Sequence, residues 1–387
     1  MHFLKQISIF ANDMAGIYIH IPFCKSRCIY CGFYSSTLVS MQDDYVEALC
    51  REMELRQTEI QDIRTIYLGG GTPSQLSEAN LRKIFDHLYS IYAPQANEIT
   101  IECNPDDVTP AFAKLLPTLG INRVSMGVQS FSDKRLQFLR RRHSADQALR
   151  ALDYLHNAGI ENISIDLIFA YPNETLEEAL QDIKTAAQVD VTHISAYNLM
   201  YEEDTILNEW LLQHKIKEVN EELSLTIYNH IMDIMSAHGF EHYEISNFAK
   251  PGYRSKHNSS YWQDIPYLGL GASACSYDQQ TRKQNIANVS QYIAAISKGS
   301  LPQDVERVTP ISHYNDIVMT ALRTCEGIDL SKIKQHFGQD AVMYLLCQAT
   351  PYINKNLLEQ TNNHLKLTKD GIFLSDGITA ELMQINE

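Results

Sequence analysis

Six short runs of β-branched and apolar residues, separated by amphipathic helical stretches, set the narrowest limit on what this 387-residue chain can fold into. Repeated strand–helix units imply an α/β architecture with a parallel sheet, because each helical crossover returns the chain to the same end of the sheet. The runs are Ile17–Ile21, Thr65–Leu68, Glu98–Glu102, Arg123–Val128, Asn162–Phe169 and His193–Tyr197. Helices such as Asp43–Gln57, Ser77–Tyr89 and Ser144–Ala158 are predicted between them, with Ser77 as an N-cap and Gly159 as a stop. The pattern changes after the sixth run. Asn220–His238 reads as a long helix, residues 241–301 as an aromatic-rich connecting segment, and residues 302–387 as a smaller, mostly helical C-terminal domain. That domain is expected to end in a hairpin pairing Leu365–Leu367 with Ile372–Leu374 around Lys369, Asp370 and Gly371, in a winged-helix-like shape. Residues 1–15 read as an N-terminal extension or, over residues 1–13, as an upstream start.

The hydrophobic content, 44% of residues, is enough for a large core, and the net charge of −15 argues against a nucleic-acid partner. No apolar run reaches 18 residues and no basic, apolar leader precedes the first strand, so a cytoplasmic protein without a transmembrane segment is expected. Of the eight cysteines, Cys50, Cys103, Cys275, Cys325 and Cys347 stand alone and are read as small buried apolar residues. Without an export signal, an even count is weak support for disulfides.

The other three cluster. The first strand runs through Pro22-Phe23 into Cys24, Cys28 and Cys31, placing three thiolate ligands on one loop as C-x3-C-x2-C. Three thiolates can hold a 4Fe-4S cluster and leave one iron with an open position. A zinc site completed by His20 or a distant cysteine is the alternative, although zinc usually takes paired knuckles. Further polar motifs lie at the C-terminal ends of predicted strands, where βα barrels assemble their sites. They are Gly69-Gly70-Gly71-Thr72-Pro73, Glu102, Gln129 in Gly127-Val128-Gln129-Ser130, and Asp166, with Arg141 in a basic stretch. No G-K-[ST] follows the glycines, so they are not a phosphate-binding P-loop.

Together these segments resemble the radical S-adenosylmethionine (SAM) superfamily, and within it the oxygen-independent coproporphyrinogen III oxidases and their haem-chaperone relatives. The resemblance runs from Gly16 to the C-terminus. It implies a partial (β/α)6 TIM-like barrel over residues 16–240, the family's C-terminal domain over 302–387, and a 4Fe-4S cluster on Cys24, Cys28 and Cys31. It also implies SAM chelated at the open iron, reductive cleavage to a 5′-deoxyadenosyl radical, and a reducing electron donor. Gly69, Gly70, Gly71 and Thr72 correspond to the turn that meets the SAM amino group. Glu102, Gln129, Arg141 and Asp166 match the family's other SAM contacts. One departure is visible: the family commonly has glycine where Ala170 precedes Tyr171-Pro172, which suggests a turn of different shape.

Two features separate the branches of this family. The oxidases carry a fourth cysteine two residues after the third and a longer N-terminal region; here position 33 is Phe33, and only 23 residues precede Cys24. His257-Asn258-Ser259-Ser260-Tyr261-Trp262 resembles the haem-binding H-N-x-x-Y-W motif of the chaperone branch, which makes His257 an expected haem contact. Ala321-Leu322-Arg323, Gly327-Ile328-Asp329-Leu330 and Leu367–Gly371 resemble that branch's C-terminal domain. The function implied is haem binding and delivery to acceptor haemoproteins, with no residue assigned a catalytic role and with room for peripheral membrane contact during delivery. A coproporphyrinogen III oxidase is the alternative; a radical SAM methyltransferase acting on haem has no discriminating residue.

Overall fold

A computed structural model describes residues 15–384 of the chain. The six predicted runs form parallel strands that pair in chain order: β1 (Ala15–Ile21), β2 (Ile63–Gly70), β3 (Glu98–Cys103), β4 (Arg123–Gln129), β5 (Asn162–Phe169) and β6 (His193–Asn198). The extension expected over residues 1–15 lies outside the described residues except for Ala15, which begins β1. Successive side chains of a strand point to opposite faces. On β1 and β2 one face carries Ile17, Ile19, Ile21, Ile66 and Leu68, all fully buried in the main core. The other face is polar and aromatic, with Tyr18 and Tyr67 stacked at 6.1 Å between ring centres. The crossover helices Glu78–Tyr92, Pro110–Thr118, Ala145–Asn157 and Leu176–Gln188 begin at Ser77, Thr109, Ser144 and Thr175, whose hydroxyls accept a backbone N–H of the first turn. Among the described residues no helix is long and apolar enough to cross a membrane.

β1 and β6 do not pair with each other, so the six-stranded barrel is open and would present two free edges. Residues beyond 240 cover both. These form β7 (Glu241–Glu244), β8 (Asn247–Ala249), β9 (Tyr267–Leu270), β10 (Cys275–Tyr277), β11 (Thr281–Asn285) and β12 (Gln303–Arg307). β8 adds antiparallel to β6, and β9 adds parallel to β1, extending the sheet to 12 strands. Residues 241–301 are therefore part of the sheet rather than a connecting segment. Strands of three to five residues are too short for their alternation to stand out in the sequence.

The C-terminal unit has its own core, which includes Tyr314, Val318, Leu322, Ile333, Leu345, Leu365 and Leu382. Helices Pro310–Ala321, Leu330–Asn354 and Ser375–Leu382 pack around β13 (Ile328–Asp329), β14 (Leu358–Thr361) and β15 (His364–Leu367). The hairpin expected around Lys369–Gly371 is not formed. β15 pairs with the preceding β14 instead, because Asn362 and Asn363 both take left-handed φ, at 47° and 68°, as a tight two-residue turn requires. Lys369 begins a short helix capped by the Thr368 hydroxyl.

The added strands are fastened to the barrel by a fully buried ion pair. Arg56 donates to Glu52 at 3.1 Å, to the Gly269 carbonyl at 2.8 Å and to the Ser276 hydroxyl at 3.1 Å. Glu52 also accepts from the Gly271 N–H at 2.7 Å, the Tyr292 hydroxyl at 2.6 Å and the Asn285 amide at 2.8 Å. A buried charge left without its partner is far more costly than the intact pair is stabilising. Glu52→Ala leaves Arg56 paired with Glu59 at 3.0 Å but strands the buried Gly271, Tyr292 and Asn285 donors, and is expected to lower unfolding stability by about 3–5 kcal/mol in urea titrations. An unchanged midpoint would remove the clamp from this account.

Candidate cofactor site at the mouth of the barrel

The loop that leaves β1 is shaped by apolar anchors. Ser36 N–H donates to the Pro22 carbonyl at 2.6 Å and Cys24 N–H to the Ser36 carbonyl at 3.0 Å, closing the base of the loop. Ile29 is fully buried against Leu139, Ile168, Tyr171, Leu199 and Leu207. With the middle of the loop pinned, Cys24, Cys28 and Cys31 are left half-buried and free of disulfides. Cys24 Sγ lies 3.3 Å from Thr72 Oγ1, and Cys28 Sγ accepts from Arg141 Nη1 at 3.4 Å. Burial pushes the Cys24 and Cys31 thiols above their ordinary pKa, so ligation would displace protons. No group of three His, Cys, Asp or Glu side chains among the described residues is drawn together around a single ion. A cubane spreads its three ligands over separate iron corners and does not need such a group. His20 does not complete a zinc site: its Nδ1 lies 3.0 Å from Tyr18 Oη and its Nε2 3.1 Å from the Tyr34 carbonyl.

Beside this loop β2 ends in the glycine turn. Gly70 has φ +109°, and a Cβ at Gly71 would lie 2.8 Å from the Pro22 carbonyl carbon, so the turn and the cysteine loop approach backbone to backbone. A Cβ at Gly69 would lie 2.9 Å from the Glu102 carboxylate. That carboxylate accepts from Tyr67 Oη at 2.8 Å and from Gly70 N–H at 3.0 Å. Shelter from solvent raises Glu102 to about 7, against the opposing pull of Tyr67, and raises Asp166 to about 6, against a hydrogen bond from Ser195. Gln129 sits at a break in the β4–β5 register with φ +67°. Gly127 leaves the space that Gln129 and Arg141 use, since a Cβ there would lie 2.8 Å and 3.2 Å from their nitrogens. Arg141 donates to Asn104 Oδ1 and the Gly127 carbonyl, both at 2.6 Å, while its buried Nε has no partner.

The glycine turn, Glu102, Gln129 and Asp166 thus come from neighbouring strands, and Thr72 and Arg141 link them to the thiols of Cys24 and Cys28. The donor set fits the implied groups: three thiols on one loop, a glycine cradle open to a ligand, an acceptor for an ammonium in Glu102, and an unpartnered guanidinium N–H for a carboxylate. Tyr67 and Asn104, which hold Glu102 and Arg141, were not identified from the sequence. For Tyr67 a signal existed, since it lies two residues before Gly69 on the same strand face.

The expectation that the five lone cysteines are buried is corrected for three of them. Cys275, Cys325 and Cys347 are exposed, and only Cys50 and Cys103 are buried. His257 does not face the mouth: it is fully buried among the N-terminal ends of the strands, its Nδ1 2.8 Å from Thr65 Oγ1 and its Nε2 2.8 Å from Tyr261 Oη. With both ring nitrogens engaged, it offers no lone pair to a haem iron in this conformation. Ala170 takes a left-handed φ of +64°, a conformation that strains an alanine.

The fold and the gathered site define a radical SAM barrel, and the Radical SAM superfamily model matches residues 18–186, with the HemN C-terminal domain model matching 308–374. "Heme chaperone HemW" of Bacillus subtilis (strain 168) is 34% identical over 371 residues, covering 94% of this chain and 98% of the relative. The protein of the same name from Synechocystis is 35% identical over 355 residues, covering 88% and 85%. The coproporphyrinogen III oxidase (HemN) of Escherichia coli superposes with a TM-score of 0.82 at 23% identity, over 96% of this chain and 90% of the other, which establishes the shared fold. The chain belongs to the HemW family.

Anaerobically reconstituted protein is expected to show iron–sulfur absorption that is lost in Cys24→Ala, Cys28→Ala and Cys31→Ala and retained in Cys50→Ala, as read by iron and sulfide analysis. Ala170→Gly should raise unfolding stability by about 0.5–1 kcal/mol in urea titrations, because glycine takes the left-handed turn without the alanine strain.

Proposed function

We propose that this chain is a haem chaperone that binds haem and delivers it to acceptor haemoproteins, and that it carries a 4Fe-4S cluster on Cys24, Cys28 and Cys31 with SAM beside it. The observation that carries the reading is Phe33. It stands where the oxidase branch has a fourth cysteine, and its side chain is 74% exposed beside an otherwise complete three-thiol loop. The full-length similarity to proteins named haem chaperones supports the same branch.

When bound, the cluster and SAM supply one-electron chemistry. Glu102 would accept a hydrogen bond from the SAM ammonium, Arg141 would meet its carboxylate through the free Nε, and Gln129 and Asp166 would hydrogen-bond the ribose. The Gly69–Thr72 turn admits the ligand by leaving out side chains. A reducing partner and an acceptor haemoprotein complete the reading. Its location is cytoplasmic, with only peripheral membrane contact during delivery, in keeping with the lack of a membrane-crossing helix among the described residues.

The test is anaerobic incubation of the reduced, SAM-loaded protein with haem and, separately, with coproporphyrinogen III. Haem is expected to bind with a Soret shift and to pass to an apo-haemoprotein, while coproporphyrinogen III is recovered unchanged on chromatography. Phe33→Cys is expected to leave it unchanged as well. Repeated turnover of coproporphyrinogen by the natural chain would replace this reading with the oxidase.

A further inference from the structure

We propose that the short helix bearing the H-N-x-x-Y-W residues closes the floor of the barrel and positions the SAM cradle, with His257 acting through Tyr67 on Glu102. The helix, Lys256–Trp262, docks at the end of the barrel opposite the cysteine loop. Glu98, buried at the start of β3, accepts the N–H groups of Lys256 and His257, both at 2.9 Å, and so fixes the first turn. Gly16 on β1 makes room for the imidazole, since a Cβ there would lie 3.0 Å from the ring. The ring bridges two hydroxyls, those of Thr65 and Tyr261, which an imidazole can do and a phenyl ring cannot.

The contact with the site passes through one aromatic face. Tyr67 stacks on His257 with ring centres 5.2 Å apart and planes 25° from parallel. The same tyrosine donates to Glu102, whose other oxygen takes the Gly70 N–H of the cradle. Any change in the His257 ring therefore moves the donor that orients the Glu102 carboxylate. Burial first, and the Arg123 charge second, depress His257 to about 3, so the ring is a neutral strut across the working range. Arg123 is itself buried in this interior, with Nε and Nη1 donating to no protein acceptor. It draws Glu102 toward its charged form. The titratable and charged groups around Glu102 are Tyr18 on β1, Tyr67 on β2, Cys103 beside it on β3, Arg123 on β4, Asp166 on β5, Tyr197 on β6, and Tyr261 of the floor helix. Of these, Tyr67 alone donates a hydrogen bond to its carboxylate. His257 and Tyr67 are thus positioning residues.

The inference rests on the reading that Glu102 meets the SAM ammonium, and the experiment separates the two. SAM binding to the cluster-loaded full chain is measured by perturbation of the reduced cluster's EPR signal between pH 5.5 and 8.5, with haem titrated on the same preparations. An ammonium needs the carboxylate form, so affinity should fall as pH drops through about 7. Tyr67→Phe keeps the stacked ring and removes the donor that favours the carboxylate, so it should move that midpoint upward. His257→Ala should weaken SAM binding by about tenfold with cluster content unchanged, and His257→Gln, which can still meet both hydroxyls, should recover most of the loss. In the Tyr67→Phe background, His257→Ala should add little. Unchanged SAM affinity and pH midpoint in both His257→Ala and Tyr67→Phe, while Glu102→Gln abolishes binding, would overturn the floor proposal. If His257→Ala does not fold, an unmoved midpoint in Tyr67→Phe alone overturns it. Unchanged SAM binding in Glu102→Gln would instead overturn the assignment beneath it. Loss of haem binding in His257→Ala with SAM binding intact would return the motif to haem.

Discussion

A carboxylate held deep within an open barrel, Glu102, is the constraint on which the rest of this structure turns. Taking such a group out of water is costly unless donors meet both oxygens, and here one donor is the Tyr67 hydroxyl and the other the Gly70 backbone. Neither donor is in place unless β2 and β3 are in register and the glycine turn takes its left-handed path. The same turn lies backbone to backbone with the start of the cysteine loop. Cysteine loop, glycine turn and carboxylate are therefore one mechanical unit. A shift in any of them exposes an unpaired polar group in the others.

This unit explains why the barrel interior differs from a barrel filled with branched aliphatic side chains. Tyr18, Tyr67, Glu102, Arg123 and Asp166 project from the strands where an enclosed eight-stranded barrel would pack valine and leucine. An interior of that kind cannot seal itself, and with β1 and β6 unpaired the barrel does not close on itself either. The chain meets both needs with residues beyond 240: β8 and β9 cover the free edges, and the helix Lys256–Trp262 covers the floor. The Glu52–Arg56 pair, tied to β9, β10 and β11 by backbone and side-chain bonds, holds the added strands on the β1 side.

Two of the chain's left-handed residues stand at strand ends beside the site. Gln129 and Ala170 both take left-handed φ at the C-terminal ends of β4 and β5, held there by the flanking strands and by the Tyr171 hydroxyl, which donates to the Gln129 carbonyl at 3.2 Å. Phe33 is the opposite case, an apolar side chain left exposed on the loop that carries the cysteines.

The six barrel strands, their parallel order and the three clustered cysteines were legible in the sequence, while Glu102, Gln129, Arg141 and Asp166 were marked by the family resemblance. Local alternation and strand-end position depend on neighbours along the chain, and those are written in order. What the sequence did not disclose depends on contacts between distant segments. The strands of residues 241–307 are too short to show a period and are strands only because β1 and β6 offer open edges. The turn at Asn362 and Asn363, rather than the one around Gly371, closes the C-terminal hairpin, because β14 supplies a partner that Ile372–Leu374 does not. His257 is the sharpest instance. As a residue type in a motif it is a ready metal ligand, yet Thr65, Tyr261, Glu98 and Gly16 come from three other parts of the chain and the motif's own next turn to bury it and occupy both nitrogens. A side chain's chemistry belongs to the sequence, but whether its lone pair is free is decided by what packs against it.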